Sequence, residues 1–235
     1  MSSVTPRFSV VLAAAGASRR FRAGRPDGPN KPFVALAGRP LWSHAAGRFA
    51  ARDDVAEIVM AVDPGSIEDV ARGEAEWLER LGVRLVRGGA ERADSVANAV
   101  RALKADPDFV AVHDAARPLV SDGVIDAAFA GAAEVGAAAP GLPIVGTVKQ
   151  VDDADRVTRT VDRTPLREVQ TPQVARADWL REAFATVELS GVTDEASLLE
   201  RAGRPVLVTA GARANLKVTT REDLDFVNFL LSRNV

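Results

Sequence analysis

The 235-residue chain contains 47% hydrophobic and 26% charged residues, with a formal net charge of −2. This apolar content excludes an intrinsically disordered protein, and the charge balance argues against a nucleic-acid partner, whose binding depends on many phosphate contacts. No cysteine is present, which excludes disulfides, thiolate catalysis and cysteine-ligated zinc. The length predicts a single domain spanning residues 1–235.

Apolar strands alternate with amphipathic helices in the first half of the chain. The run Phe8–Ala14 ends in small residues and predicts a buried strand that leads into a loop. The next predicted elements are a strand at Glu57–Val62, a helix at Ile67–Leu81, a strand at Val83–Val86, a helix at Asp94–Lys104, a strand at Phe109–Val112 and a helix at Ser121–Glu134. This order predicts an α/β fold, with a mostly parallel, Rossmann-like sheet flanked by helices on both faces.

The alternation is interrupted after Pro140. Ile144–Val151 and Val157–Val161 flank an acidic turn and predict a β-hairpin, which forms a β-arm insertion at about residues 141–170. Helices are predicted to follow, and a capping box formed by Thr219 and Glu222 would open the last of them.

The N-terminal segment Met1–Arg7 has no charged region followed by an apolar run, and Val10–Ala15 is too short to cross a membrane. We therefore expect a cytoplasmic location without a membrane partner.

The loop after the first strand is rich in positive charge. Between Arg19 and Lys31 lie five basic residues and one acidic residue, interspersed with glycines. Small residues at 14–16 would let backbone N–H groups approach phosphate oxygens, and the basic side chains would supply charge. On composition alone, a solvated basic loop is an equal alternative. The chain has no P-loop, no dinucleotide-binding glycine motif and no Gly-x-Ser-x-Gly elbow.

Two further loops are predicted at the same edge of the sheet. Asp114 follows the strand Phe109–Val112 and could bind Mg²⁺, which takes one or two protein carboxylates together with waters and substrate phosphates. Alternatively, Asp114 caps the next turn and pairs with Arg117. The glycine pair and hydroxyl of Gly88–Ser95 could contact a base and ribose, or this segment could be a glycine turn in which Asp94 or Ser95 caps the next helix. A lone His113 is expected to be structural.

Nine short segments, taken in chain order, carry a more specific pattern. They are Ala14–Gly16 with Arg19 and Arg20, Lys31 before Pro32 and Phe33, Gly88–Ser95, His113–Pro118, Thr147–Lys149, Thr160–Arg163, Thr171–Gln173, Thr193–Ser197 and Asn215–Thr219. Together they resemble the 2-C-methyl-D-erythritol 4-phosphate cytidylyltransferases of the non-mevalonate isoprenoid pathway, and the resemblance covers nearly the whole chain.

This resemblance implies transfer of CMP from CTP to 2-C-methyl-D-erythritol 4-phosphate, with pyrophosphate as the second product and Mg²⁺ as cofactor. It also implies a homodimer, because the hairpin resembles the dimerisation arm of the family. Some contacts of the arm would then be made in the neighbouring subunit. The alternatives are a ribitol 5-phosphate cytidylyltransferase and a catalytically silent nucleotide-binding homologue, although Ala115 and the segments Asp94–Ser95 and Thr193–Ser197 favour the erythritol-phosphate branch.

The residues whose roles the resemblance implies fall into four groups. The catalytic residues are Arg20, Lys31, Arg163 and Lys217. The CTP-binding residues are Ala14, Ala15, Gly16, Arg20, Lys31, Gly89, Ser95 and Asp114. The residues that bind the polyol phosphate are Arg117, Thr147, Arg163, Thr171, Thr193 and Lys217. The metal ligand is Asp114.

The chain departs from the family pattern in its first loop. Ala13 replaces a proline, Asn30-Lys31-Pro32 replaces Pro-Lys-Gln, and Arg22–Pro29 is several residues longer than usual. Ala90 also replaces a common aspartate after the glycine pair.

Overall fold

The computed structural model describes residues 6–16, 18, 20–21 and 30–233. The extension Arg22–Pro29 therefore lies outside the described residues. The first half of the chain forms β1 (Phe8–Ala13), a 3₁₀ helix (Lys31–Phe33), β2 (Ala35–Leu36), β3 (Arg39–Pro40), α1 (Leu41–Ala50), β4 (Val55–Val62), α2 (Ile67–Gly73), α3 (Ala75–Arg80), β5 (Val83–Arg87), α4 (Arg92–Arg101), β6 (Phe109–Asp114) and α5 (Asp122–Val135). The second half forms β7 (Ala137–Pro143), β8 (Val148–Val151), β9 (Val157–Val161), β10 (Arg167–Val169), β11 (Gln173–Arg176), α6 (Ala177–Thr186), α7 (Glu195–Arg201), β12 (Leu207–Ala210) and α8 (Arg221–Ser232).

Eight strands form one central sheet, in the order β10-β7-β11-β6-β1-β4-β5, and β12 pairs with β7. Strand β1 is parallel to both β4 and β6, and β4 is parallel to β5. The antiparallel pairs are β11 with β6 and β7, and β10 with β7. The predicted α/β fold with a mostly parallel sheet is confirmed.

Hydrophobic side chains cover both faces of this sheet. Val10 and Leu12 of β1 pack in one cluster with Trp42 of α1 and Ile125 of α5. Val11 points to the opposite face, where the second cluster includes residues of α4, α6 and α7. Alternate residues of one strand are thus buried on both sides, as expected for a sheet between two layers of helices.

A third, smaller cluster of buried side chains lies apart from the two faces. It consists of Phe21, Val34, Leu36, Leu41, Val218 and Val227, with Leu119, Leu216, Leu224 and Leu231 packed against it. This third cluster joins α8 to the segments that flank the first loop.

The strands β8 and β9 form an antiparallel hairpin that pairs with no other strand of the described chain. It lies within the predicted insertion at residues 141–170. At the two ends of that range, Gly141–Pro143 pairs with Arg167–Val169 inside the central sheet. The projecting segment therefore runs from about residue 144 to residue 166.

Strand β7, with the sequence Ala-Ala-Ala-Pro-Gly-Leu-Pro, was not predicted. Small residues give no β-propensity signal, yet they let neighbouring strands and α5 approach closely. A Cβ at Gly141 would lie 2.7 Å from Val208 of β12, and one at Gly131 of α5 would lie 2.8 Å from Thr209. Pairing with the neighbouring strands β10, β11 and β12 therefore determines the extended conformation of β7.

Several predicted boundaries were wrong by a few residues. The helix predicted at Ile67–Leu81 divides into α2 and α3, because Gly73 is a poor helix former and the Glu74 carboxylate accepts a hydrogen bond from Trp42 Nε1 at 2.8 Å. The last capping box uses Thr220 and Asp223, since the Asp223 carboxylate accepts from the backbone N–H groups of both Thr219 and Thr220. Among the residues that the structure describes, no helix is long and apolar enough to cross a membrane.

Gly136 provides a test of the packing between α5 and α6. It ends α5 with φ +100°, and an added Cβ would overlap the Trp179 ring. We expect Gly136→Ala to lower the free energy of unfolding by roughly 2 to 4 kcal/mol, because backbone strain at the positive φ and overlap with the Trp179 ring act together.

Gly47→Ala is the control, since beyond the adjoining helix backbone no described atom lies within 4 Å of a Cβ at this position in α1. It should raise the free energy of unfolding by about 0.5 to 1 kcal/mol. Equal midpoints for the two variants in urea unfolding would contradict this account.

Candidate active site

A pocket of about 540 Å³ opens where β1, β4, β5 and β6 end. Its walls come from the loops after these strands: Ala13–Gly16 after β1, Asp63 and Ser66 after β4, Gly89–Arg92 after β5, and Asp114 at the end of β6. Lys31 and Lys217 complete the lining from opposite parts of the sequence. The pocket therefore lies at the edge where parallel α/β sheets bind ligands.

Short contacts hold the first loop against the sheet. Ala14 N donates to Ala61 O at 2.9 Å, and Ala115 N donates to Ala13 O at 3.2 Å. Lys31 N donates to Ser18 Oγ at 3.1 Å, which joins the two ends of the basic loop. The backbone of residues 14–16 and the side chain of Lys31 consequently line the same pocket.

The loop between β5 and α4 packs tightly against the first loop at Gly88. A Cβ at this position would lie 2.9 Å from each of three atoms, namely Ala15 Cβ, Ser95 Oγ and Val62 O. Only glycine permits this approach without a shift of backbone. The two loops thus form one continuous wall of the pocket.

Ser95 lines the pocket and also holds the glycine turn. Its Oγ accepts from Gly89 N at 2.9 Å and donates to Glu91 O at 2.9 Å. The N-cap of α4 is Glu91, and Asp94 completes the capping box. The suggestion that Asp94 or Ser95 is itself the N-cap was therefore wrong.

The buried carboxylate of Asp114 lies among three cations. Lys217 Nζ is 2.8 Å from Asp114 Oδ2, Arg92 Nη2 is 3.6 Å from Oδ1, and Arg117 Nε is 3.7 Å from Oδ2. Burial opposes ionisation of Asp114, but the attraction of Lys217 and Arg92 outweighs it and holds the pKa well below its usual range. Asp114 is therefore an anion at any physiological pH.

Arg92 is held in turn by Glu195 of α7. The two carboxylate oxygens of Glu195 accept from Arg92 Nη1 at 2.8 Å and from Nη2 at 2.9 Å. Burial would lower the pKa of Arg92, but the Glu195 carboxylate raises it above its ordinary value. This bidentate pair directs the guanidinium towards Asp114 and links α7 to the pocket.

Lys31 lies in an environment that disfavours its own charge. Burial and repulsion from Lys217 lower its pKa to about 8, although Asp114 partly opposes the shift. Arg20 adds to the repulsion. A partly buried ammonium group beside other cations is stabilised when an anion enters, so the pocket is suited to a polyphosphate.

Seven of the eight residues predicted to bind CTP line this pocket, namely Ala14, Ala15, Gly16, Lys31, Gly89, Ser95 and Asp114. The eighth, Arg20, is exposed beside the pocket and close enough to Lys31 to affect its pKa. Of the residues predicted to bind the polyol phosphate, Lys217 lines the pocket.

The other predicted polyol-phosphate residues occupy two different places. Arg117 and Thr171 are buried behind Asp114, whose backbone N–H donates to Thr171 Oγ1 at 3.1 Å. Thr147 and Arg163 are exposed near the ends of the hairpin, and Thr193 is exposed just before α7. None of these five lines the pocket within one chain.

His113 forms part of the support behind Asp114. Its ring is fully buried, with Nδ1 3.0 Å from Thr171 Oγ1 and Nε2 3.1 Å from Arg117 O. Burial lowers its pKa to about 4, so the ring is neutral near pH 7. A neutral ring that donates from Nε2 to the Arg117 carbonyl has the structural role expected from the sequence.

Sequence reasoning missed several polar residues of the lining. They are Ser18, Asn30, Asp63, Ser66, Glu91 and Arg92. Arg92 stands within the recognised segment Gly88–Ser95, so its position at the start of a helix after a strand was an available signal. Asp63 directly follows the last residue of β4, at the same edge of the sheet as Asp114, which is the last residue of β6.

The donor set of the pocket fits a magnesium ion bound mainly by its substrate. Among the residues that the structure describes, no group of three or more His, Cys, Asp or Glu could hold a metal ion. Asp114 supplies one carboxylate, whose Oδ1 lies 3.6 Å from Arg92 Nη2, farther than the 2.8 Å that separates Oδ2 from Lys217 Nζ. One carboxylate suffices for Mg²⁺ when phosphate oxygens and waters complete the coordination.

Comparisons with known proteins agree with this geometry. The family model described as 2-C-methyl-D-erythritol 4-phosphate cytidylyltransferase matches residues 8–233. A protein of that name from Acidobacterium capsulatum is 41% identical over 233 residues, which cover 96% of this chain and 97% of the relative. A chloroplastic relative of the same name from Oryza sativa subsp. japonica is 37% identical over 218 residues, covering 92% of this chain and 71% of its own length.

Solved structures give the same result. The crystal structure of 2-C-methyl-D-erythritol 4-phosphate cytidylyltransferase from Thermus thermophilus superposes with a TM-score of 0.75 at 32% identity, covering 97% of this chain and 100% of that one. The 4-diphosphocytidyl-2C-methyl-D-erythritol synthase of Anaerococcus prevotii gives a TM-score of 0.81 at 25% identity, covering 97% of each chain. This chain belongs to the 2-C-methyl-D-erythritol 4-phosphate cytidylyltransferase family.

Proposed function

We propose that this chain transfers the CMP group of CTP to 2-C-methyl-D-erythritol 4-phosphate and releases pyrophosphate, as a cytoplasmic step of the non-mevalonate isoprenoid pathway. The observation that carries the proposal is the pocket in which Lys31 and Lys217 face the backbone of the first loop. Family membership supplies the identity of the two substrates.

The reaction needs no protein group that removes a proton. A phosphomonoester has a second pKa of about 6, so the acceptor phosphate is already mostly a dianion near neutral pH. One of its oxygens attacks the α-phosphorus of CTP, and the bond from that phosphorus to the bridging oxygen of the β-phosphate breaks. Pyrophosphate leaves with the electron pair of this bond.

Electrostatic repulsion is the main obstacle to this attack. CTP brings roughly four negative charges and the acceptor about two, which repel strongly where water is excluded. Lys31, Lys217 and Arg92 provide the pocket with cations, but Asp114 already partly neutralises Lys217 and Glu195 partly neutralises Arg92. Burial and repulsion from Lys217 disfavour the charge of Lys31, so the negative charge that grows on the phosphates would stabilise this ammonium group.

Asp114 has two roles in the proposal. It fixes Lys217 through the 2.8 Å ion pair, and it would be the protein ligand of Mg²⁺. When bound, Mg²⁺ would neutralise part of the phosphate charge. The backbone of Ala14–Gly16 and the turn at Gly89 and Ser95 would enclose the nucleotide on the opposite side.

The hairpin supports a proposal about assembly. Its valines Val145, Val151 and Val157 are 61%, 45% and 59% exposed, which is unusual for apolar side chains grouped on one arm. Thr147 and Arg163 belong to the same arm and lie away from the pocket of their own chain. We therefore propose that the arm belongs to a single domain of residues 1–235 and mediates a homodimer, with Arg163 placed at the pocket of the neighbouring subunit.

The choice of acceptor is tested by pyrophosphate release. With CTP and Mg²⁺, we expect kcat/KM for 2-C-methyl-D-erythritol 4-phosphate to exceed that for ribitol 5-phosphate by at least ~10²-fold. The two acceptors carry their hydroxyl groups at different positions, so a site that forms hydrogen bonds with one leaves polar groups without partners when it binds the other. Equal or faster turnover with ribitol 5-phosphate would establish the related cytidylyltransferase instead. CTP binding without turnover on either acceptor would indicate a silent homologue.

The state of Lys31 should control activity at high pH. The Lys31 side chain is positively charged below its pKa of about 8, and it loses this charge with its proton as the pH rises through that value. We expect kcat/KM for CTP to fall above pH 8, while the corresponding decline in kcat moves to higher pH because the bound triphosphate stabilises the cation. Lys31→Arg is the control, because a guanidinium stays charged throughout this range. Persistence of the decline near pH 8 in Lys31→Arg would exclude Lys31 as its source.

Combining two impaired variants tests whether Arg163 acts across a dimer. Arg163→Ala should raise KM for the polyol phosphate and leave CTP affinity nearly unchanged, whereas Lys31→Ala should lower kcat by ~10² to 10³. Co-expression of the two variants should restore about a quarter of the wild-type kcat/KM for the polyol phosphate, since half of the dimers would contain one intact site. Arg159→Ala is the matched control, because Arg159 lies on the same hairpin and bonds Gln150 at 2.6 Å. Absence of any recovery on co-expression would place Arg163 at its own pocket or nowhere near one.

A further inference from the structure

The third cluster has an unusual relation to the cations of the pocket. Phe21 directly follows Arg20, Val34 is three residues after Lys31, and Leu216 and Val218 flank Lys217. Of the four predicted catalytic residues, Arg20 and Lys217 thus directly adjoin residues of this cluster, and Lys31 lies three residues from one. Buried side chains in such a cluster have little freedom, so their neighbours along the chain are fixed relative to one another.

Backbone hydrogen bonds tie the same segments to the pocket. Val34 N donates to Lys31 O at 3.3 Å, and Val218 N donates to Ala116 O at 2.8 Å beside Asp114. Arg20 is itself exposed, and it directly precedes Phe21, which is 2% exposed. Burial of the Phe21 ring limits where the adjacent Arg20 backbone can lie.

Helix α8 closes the cluster over Phe21. Val227, Leu224 and Leu231 contribute its apolar side, and the Arg221 guanidinium carbon lies 4.5 Å from the centroid of the Phe21 ring. A cation at the first position of a helix is unfavourable for the helix dipole, whereas the next residues, Glu222 and Asp223, have the charge expected there. Stacking on the electron-rich face of Phe21 accounts for the placement of Arg221.

We propose that Phe21, held under Arg221, is a positioning residue that sets Arg20 beside the pocket, near Lys31. Phe21 touches no substrate and acts through Arg20. The inference rests on the proposed function, because it assigns Arg20 to the triphosphate of CTP. The third cluster is then the part of the fold that fixes the spacing of Arg20, Lys31 and Lys217.

A double-mutant cycle tests this coupling. Arg20→Ala and Phe21→Ala should each lower kcat/KM for CTP by ~10 to 10²-fold, and the double variant should fall no more than about threefold below Arg20→Ala. Leu36→Ala is the structural control, because Leu36 is equally buried in the same cluster but adjoins no cation. The fold-loss of kcat/KM for CTP in Leu36→Ala, whatever its size, should multiply with the fold-loss in Arg20→Ala when the two changes are combined. A multiplicative result for Phe21→Ala as well would overturn the proposal.

Arg221 gives a second test that does not depend on the folding of Phe21→Ala. Arg221→Gln should reduce kcat/KM for CTP by roughly 3- to 10-fold with an unchanged melting temperature, and Arg221→Lys should restore it because a cation over the ring is kept. Phe226→Ala, which removes an exposed ring from the same helix, should have no effect. Loss of activity in Arg221→Lys equal to that in Arg221→Gln would contradict the stacking role.

The same cycle is measured on the Kd for CTP by titration calorimetry without an acceptor. If the wild-type protein binds CTP but transfers nothing to an acceptor, the proposed function is contradicted but the inference is not. The coupling between Arg20 and Phe21 would then still be measured from the Kd for CTP. Additive changes in the free energy of CTP binding would overturn the inference even if the enzyme proves active.

Discussion

The attraction between the buried Asp114 carboxylate and its surrounding cations organises the pocket. Lys217 comes from the segment before α8, Arg92 from the start of α4, and Arg117 from the loop after β6. Removing one partner from a buried ion pair leaves an uncompensated charge, which commonly costs about 3 to 5 kcal/mol. Asp114 therefore holds two distant parts of the sequence, the start of α4 and the segment before α8, at one edge of the sheet. The Glu195 pair extends this network to α7.

The charge balance of the network also explains why one cation stays available for substrate. Arg92 is shared between two carboxylates, and Lys217 is drawn towards Asp114. Lys31 has no close carboxylate of this kind among the described residues and is instead destabilised by burial. A structure that satisfies most of its charges internally but leaves one ammonium in an unfavourable environment has a specific place for an incoming anion. Positive charge in this protein is therefore concentrated locally, although the chain as a whole carries a net charge of −2.

The sequence predicted those features that depend on local signals. The first loop and Asp114 were found because a parallel sheet brings the ends of its strands to one edge, and the order of strands and helices is visible in the apolar pattern. Strand β7 escaped prediction because alanine, glycine and proline carry no strand signal, and its pairing is imposed by β10, β11 and β12. The position of Arg92 at the start of a helix was visible in the sequence, but its pairing with Glu195, 103 positions away, appears only in the fold. Thr147 and Arg163 were named by the family resemblance, and nothing in the apolar pattern indicates that the hairpin carries them away from the pocket of their own chain.

The isolated pairing of β8 with β9 has a consequence for how the protein would be regulated. A two-stranded ribbon without a third strand is at best marginally stable in water. The three exposed valines of the arm, Val145, Val151 and Val157, would be covered when another molecule packs against it. If that molecule is a second copy, each pocket is completed by mass action, and the specific activity rises with the amount of protein in the cell. Expression level would then change both the number of enzyme molecules and the fraction of them that is competent.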